Sequence, residues 1–230
     1  MKTLIKRLLP KSLFLFYRNK FSKYRNKNTE EVFTEIFNSN QWSSSESISG
    51  VGSEIEQTKA LIPALNNLLF DFRITSVLDI PCGDFNWMKK VDLSNITYTG
   101  ADIVEDLIEN NKKQYGGRDD IEFLVINLIT DSLPKCDLII VRDCFVHLSY
   151  NDISTAIKNI KSSGCKYLLT TTFLNRSENR DIVTGNWRPL NLQIKPFNFP
   201  KPILVINENC TEGNGDYKDK SMALWEIFSI

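Results

Sequence analysis

The sequence has no C-x-x-C pair, and its five cysteines, Cys82, Cys136, Cys144, Cys165 and Cys210, are odd in number. This argues against a structural zinc site and a complete disulfide framework. Most of the five fall in or beside apolar runs, where a free thiol behaves as a small buried hydrophobe. A reducing compartment is therefore expected. No apolar run approaches the ~20 residues needed to cross a bilayer. The first apolar stretches are short, are broken by Pro10-Lys11 and precede no small-residue cleavage site, so no secretory signal is predicted. There is no net charge, with 28 basic and 28 acidic residues. Acidic residues are nevertheless absent from residues 1–29, which hold nine Lys or Arg. The rest of the chain is acidic, which argues against a broad nucleic-acid footprint. These absences together predict a cytoplasmic protein without metal.

What is present is organised in two parts. Residues 1–28 form a basic arm in which Leu4, Ile5, Leu8, Leu9 and Leu13 to Tyr17 lie between basic clusters. Such a segment suits peripheral contact with an anionic membrane face. Packing on its own domain and an extended tail are equally compatible with it. Residues 29–230 suit one domain, and a hydrophobic content of 42% is enough for a sizeable core.

Asn28-Thr29-Glu30-Glu31 opens a short helix, and Ser53-x-x-Glu56 reads as a capping box for a helix to about residue 70. Apolar β-runs follow at about 75–80, 97–102, 121–127, 137–141 and 167–173, with helices at about 104–115 and 149–162. Runs without alternation fit a parallel sheet covered on both faces. Two further runs, 203–206 and 222–228, have no helix between them and most simply pair antiparallel. The expected fold is α/β, a Rossmann-like doubly wound sheet of seven strands, mostly parallel, with an antiparallel C-terminal strand pair.

The chemistry concentrates where the first two strands end. The run Val77-Leu78-Asp79-Ile80-Pro81-Cys82-Gly83 ends on a carboxylate and a glycine turn. The run Tyr98-Thr99-Gly100-Ala101-Asp102 ends on a second carboxylate 23 residues after the first. In an open α/β sheet the first turn lets backbone approach a nucleoside-like ligand, and the second carboxylate accepts from a ribose diol. Asp102 also suits the start of the next helix, and the two roles are compatible.

These segments, with Phe123 to Leu128 and with Leu133-Pro134-x-x-Asp137 leading to Arg142-Asp143-x-x-x-His147, resemble the class I S-adenosylmethionine (SAM) dependent methyltransferases. The resemblance covers about residue 75 to residue 230. It implies SAM as cofactor and places Asp79, Cys82, Gly83 and Asp84 at its methionine end. It also implies Asp102 and Ile103 at the ribose, Asn127 and Leu128 at the adenine, and Arg142 at the strand-four exit. There His147 is the candidate base, with Asp143 four residues before it to orient the imidazole if a helix begins at 143. Trp187 and Arg188, in the long segment after strand five, are the candidate acceptor contacts, by stacking on a sugar and by pairing with an anionic group.

Residues 42–58 resemble members associated with bacterial surface polysaccharides. The implied acceptor is a small molecule, sugar or glycan precursor methylated on oxygen. Residues 49–53, before a helix, could offer backbone N–H groups to a carboxylate or phosphate. Three features depart from the family pattern: Pro81 and Phe85 replace two glycines of the first motif, Asn127 replaces an acid, and no Asn-Pro-Pro-Tyr tetrapeptide follows strand four. A nicotinamide-dependent oxidoreductase shares the ribose logic but lacks its G-x-G-x-x-G here. A non-catalytic SAM-fold binding protein is the other alternative.

Overall fold

The computed structural model describes residues 21–230. Seven strands form one sheet: β1 (Ser76–Asp79), β2 (Thr97–Asp102), β3 (Ile121–Val125), β4 (Leu138–Val141), β5 (Tyr167–Phe173), β6 (Leu204–Asn207) and β7 (Lys220–Glu226). Their spatial order is β3-β2-β1-β4-β5-β7-β6. The first five strands are parallel, and β7 runs antiparallel between β5 and β6. The sheet is thus the expected mixed α/β sheet. Its strand order reverses between β1 and β4, the switch point where such sheets open a crevice beyond their carboxyl ends.

Helices cover both faces, because neighbouring residues of each strand point to opposite sides. Val77 and Tyr98 pack with Leu61, Leu65 and Leu68 of α3 (Leu61–Asp71) and Ile108 of α4 (Glu105–Tyr115). Leu78, Ile139 and Trp225 pack on the other side with Ile153, Ala156 and Ile160 of α5 (Tyr150–Ser162). The apolar residues of α5 recur at helical spacing, and its first turn is capped by the Ser149 hydroxyl, which accepts from Asp152 N at 3.1 Å. The expected capping box at the start of α1 (Thr29–Asn38) is present, with Asn28 and Glu31 bonding reciprocally.

The helix expected from Ser53 to residue 70 is instead broken into α2 (Ile55–Thr58) and α3. Ser53 does not cap it, because the Glu46 carboxylate takes the Ile55 N–H at 2.8 Å. Pro63 cannot donate to the carbonyl four residues earlier, so the first turn of α3 does not continue α2. Strand β3 stops at Val125 because Asn127 turns the chain, its side chain accepting from Ile129 N at 2.9 Å. Strand β7 starts two residues early, at Lys220, and ends at Glu226.

Residues 1–20 of the basic arm lie outside the described residues. Tyr24, near its end, is buried against Val32 and Gly185 and donates to Gln41 Oε1, so packing onto the body begins before residue 29. Among the described residues no helix is long and apolar enough to cross a membrane. All five cysteines are free.

At the amino end of the sheet, one oxygen of Asp137 accepts from Thr75 N, Thr75 Oγ1, Ser76 N and Ser76 Oγ at 2.7–3.1 Å. Burial pushes its pKa up, but these bonds outweigh that and hold it below the usual carboxylate range. The stabilisation is therefore present above an ordinary carboxylate pKa and lost as pH falls below it. Asp137→Ala is expected to cost about 1–3 kcal/mol at pH 7. Thermal melts should show the gap to the native protein narrowing as pH falls through the lowered folded-state pKa, and a gap independent of pH would refute the assignment.

Candidate active site

The carboxyl ends of β1, β2 and β4 open into a cavity of about 580 Å³. Asp79, at the end of β1, is buried and accepts from the Tyr98 hydroxyl at 2.8 Å. Burial raises its pKa to about 7, against opposing pulls from Tyr98 and Arg142. Asp102, at the end of β2, accepts from Val104 N at 3.1 Å and Gly83 N at 3.3 Å. Burial raises it to about 6 although these backbone donors favour the charged form. Two carboxylates thus face one cavity with no cation bonded directly to either among the described residues.

The turn after β1 is fitted to a neighbouring loop. Gly83 has φ +57°, and a Cβ there would lie 2.2 Å from Ser49 Oγ. Asn111 of α4 donates to Gly83 O at 2.7 Å, and the buried Cys82 thiol lies beside it. Asp84 accepts from Ser47 Oγ, Ile48 N and Ser49 Oγ at 3.0–3.3 Å, while its own N–H donates to Ser49 Oγ. Asp84 is therefore a clamp between the 44–53 loop and the β1 turn. The N–H groups of Ser49, Gly50 and Ser53 already have internal acceptors, so at most those of Val51 and Gly52 remain for an anion in the expected 49–53 nest.

Four charges meet where β4 leaves the sheet. The guanidinium of Arg142 donates to Glu208 Oε2 at 2.5 Å and to Gly52 O at 2.7 Å. Lys220 Nζ donates to Asp143 Oδ2 at 2.6 Å and lies 3.4 Å from Glu208 Oε2. Burial alone would raise Asp143, but Lys220 and Arg142 hold it below the carboxylate range. Burial also opposes both cations, yet the acids keep each of them charged.

The expected helix at 143 is absent. Asp143 has φ +51°, and a short 3-10 turn spans Phe145–His147. Asp143 thus bonds Lys220 rather than His147. The ring of His147 instead lies 3.0 Å from Asn186 O through Nδ1 and 5.4 Å from Trp42. A carbonyl oxygen only accepts, so Nδ1 carries the proton and Nε2 is the free lone pair. Burial lowers His147 to about 4, against the pull of Asp143, so it is neutral at pH 7.

No protein-family model matches the sequence, and no curated protein does. Solved structures do match the fold. The N-methyltransferase NodS of Bradyrhizobium japonicum WM9, solved with S-adenosylhomocysteine, matches with TM-score 0.60 and 12% identity over 86% of this chain and 98% of that one. Magnesium protoporphyrin IX methyltransferase of Synechocystis PCC 6803, with bound SAM, gives 0.59 and 14% over 86% and 97%. Human N-acetylserotonin methyltransferase, in complex with SAM, gives 0.54 and 15% over 93% of this chain but only 66% of that one.

This chain has the class I SAM-dependent methyltransferase fold. In that fold the cavity gathers most of the residues singled out in the sequence. Asp79, Cys82, Gly83, Asp84, Asp102, Ile103, Asn127, Leu128, Arg142, Asp143, His147 and Trp187 all line it. Arg188 does not, because its guanidinium donates to the backbone carbonyls of Arg180, Phe145 and Leu148 at 2.7–3.1 Å. It fixes the turn that carries His147 and is buried away from any acceptor.

Sequence reading missed Lys220, Glu208 and Glu212, together with Phe33, Phe37 and Tyr217, which also shape the site. A signal existed for the first two: both are charged residues flanking strands that are otherwise apolar.

Two outcomes follow from this geometry. Gly83→Ala should lower Tm through its positive φ, worth about 1 kcal/mol, and through its clash with Ser49. Ser49→Gly also removes two bonds to Asp84, so the two substitutions together should cost less than the sum of each alone, and additive losses in melting experiments would refute the contact. A raised acid in the folded state stabilises below its unfolded pKa, and that contribution is lost as pH rises through the folded one. Asp79→Asn should therefore stabilise the ligand-free protein at pH 8, by an amount on the order of 1–3 kcal/mol read as a raised Tm, and not at pH 4.

Proposed function

We propose that this protein is a SAM-dependent methyltransferase acting on an oxygen of a small molecule, with a sugar or glycan precursor as the acceptor. The observation that carries this reading is the pair of unneutralised carboxylates, Asp79 and Asp102, on either side of the Gly83 turn at the switch point. Three solved structures of the same fold hold SAM or its demethylated product.

The residues present fit that cofactor. The backbone at Gly83 approaches closely because no Cβ intervenes. Asp79 and Cys82 would hold the methionine end, with the Asp79 carboxylate against its ammonium; Asp102 and Ile103 would hold the ribose, and Asn127 and Leu128 would border the adenine. When bound, SAM supplies a methyl group already activated on a sulfonium.

The chain's part is to position the acceptor and take a proton. His147 Nε2 accepts that proton from the acceptor hydroxyl, while its Nδ1 stays on Asn186 O. Asp143 does not touch the ring, but its negative charge favours the imidazolium that forms. Trp187 offers a platform for the acceptor, its indole held edge-on by Tyr217 at 4.9 Å and Phe173 at 6.1 Å.

Calorimetric titration with SAM and, separately, NADH tests this reading. SAM binding abolished by Asp102→Ala, with no NADH binding, is expected. NADH binding without SAM binding would favour the oxidoreductase, and SAM binding without turnover on any acceptor the binding module. His147→Ala should keep SAM affinity and lower turnover by about 10²–10⁴, whereas lost affinity would refute that division of roles. Because Asp79 facing an ammonium and Asp102 accepting from ribose hydroxyls both act in their ionised forms, affinity should rise on the order of 10- to 100-fold from pH 5 to pH 7.5. The same titration in Asp79→Asn should show a shallower slope.

A further inference from the structure

Far from the cavity, at the amino end of the sheet, two thiols meet. Cys136 precedes β4 and Cys165 precedes β5, and their Sγ atoms are 3.1 Å apart. The parallel register pairs Leu138 with Tyr167, so two residues back Cys136 stands opposite Cys165. A two-residue step keeps both side chains on one face. Neighbouring strands lie about 4.8 Å apart, within the roughly 4.4–6.8 Å of Cα separation that a disulfide spans. The Cys136 N–H donates to Cys165 Sγ at 3.1 Å, and the 163–165 turn is fixed by Cys165 N donating to Ser163 Oγ at 3.1 Å.

We propose that Cys136 and Cys165 form a peroxide-oxidisable thiol pair that closes to a disulfide, a modification site separate from the methyl-transfer cavity and independent of the function proposed above. The geometry divides the roles. Cys165 receives the backbone donor and the Cys136 thiol, both of which favour its thiolate and lower its pKa. The Cys165 thiolate attacks one oxygen of hydrogen peroxide, the O–O bond breaks and hydroxide leaves, giving a sulfenic acid. The Cys136 sulfur then attacks the Cys165 sulfur. The S–O bond breaks, and the sulfenic hydroxyl leaves with the Cys136 proton as water. In total two thiols lose two electrons and two protons, and one peroxide becomes two waters.

Cys165 is itself buried, and the half-buried Cys136 beside it gives a small oxidant its approach to the pair, whereas burial first and nearby carboxylates second push the Cys82 and Cys144 thiols up. The bridge would join the starts of β4 and β5 next to Asp137, which fastens β1. Its expected effect is on stability, since the cavity opens at the opposite end of the strands.

The test uses the full chain, reduced, freed of reductant and treated with a few equivalents of hydrogen peroxide. Denaturing alkylation with N-ethylmaleimide and intact-mass analysis follow. The expected result is a fall from five to three alkylated thiols, a loss of two mass units before alkylation, and one cross-linked peptide joining Cys136 to Cys165. Tm should rise by roughly 5 °C, reversibly with dithiothreitol. In Cys136→Ser, dimedone should trap the sulfenic acid on Cys165. Five alkylated thiols at a dose that oxidises free glutathione, or a cross-link between any other pair, would overturn the proposal. The peptide map of the native chain decides this even if a variant fails to fold.

Discussion

The charge quartet of buried Arg142, Glu208 and Lys220 with the half-buried Asp143 is the interaction on which the site depends. It joins the end of β4, the end of β6, the start of β7 and, through Gly52 O, the loop that closes the cavity. Removing one member of such a cluster leaves an uncompensated buried charge, which costs about 3–5 kcal/mol. Two atoms facing this network, Arg142 Nε and Glu208 Oε1, have no protein partner among the described residues. The quartet is possible only because β7 inserts antiparallel between β5 and β6. That insertion returns the C-terminal segment to the carboxyl ends of the parallel strands.

The strands were legible because each is a short apolar run set off by turn residues, and local pattern decides such elements. The positions of Asp79 and Asp102 were legible because both fall at strand ends, which the pattern locates to within a residue or two. The Asp143–Lys220 and Arg142–Glu208 contacts were not, since they span 77 and 66 residues and nothing in local spacing encodes them. Arg188 shows the same limit from the other side. Its charge beside Trp187 suggests recognition of an anion, but two backbone carbonyls of a distant turn and one of its own segment claim it. Asp143 was placed in the right site with the wrong partner, because its left-handed backbone ends any helix before the i, i+4 spacing can operate.

The 44–53 loop shows how a polar, serine-rich segment becomes part of a built site. In sequence it is compatible with a linker. In the fold its serines and backbone amides are bonded to Asp84 and Glu54, and Trp42 sits where a Cβ on Gly50 would come within 3.0 Å. The loop therefore takes its conformation from the β1 turn. That turn has traded the flexibility of two further glycines for Pro81 and Phe85, whose ring packs against Tyr98, Tyr115 and Phe123. The cofactor turn is accordingly stiff, with Gly83 as its single point of close approach.

Stiffness and charge act together. Both cations near the cavity are committed to buried acids, so neither can neutralise Asp79 or Asp102 by direct contact. In the free protein these carboxylates are held back from full ionisation by burial, a cost that a bound cation relieves. The uncompensated carboxylates thus bias the cavity towards ligands that bring positive charge or hydrogen-bond donors to the ends of β1 and β2, by electrostatics alone.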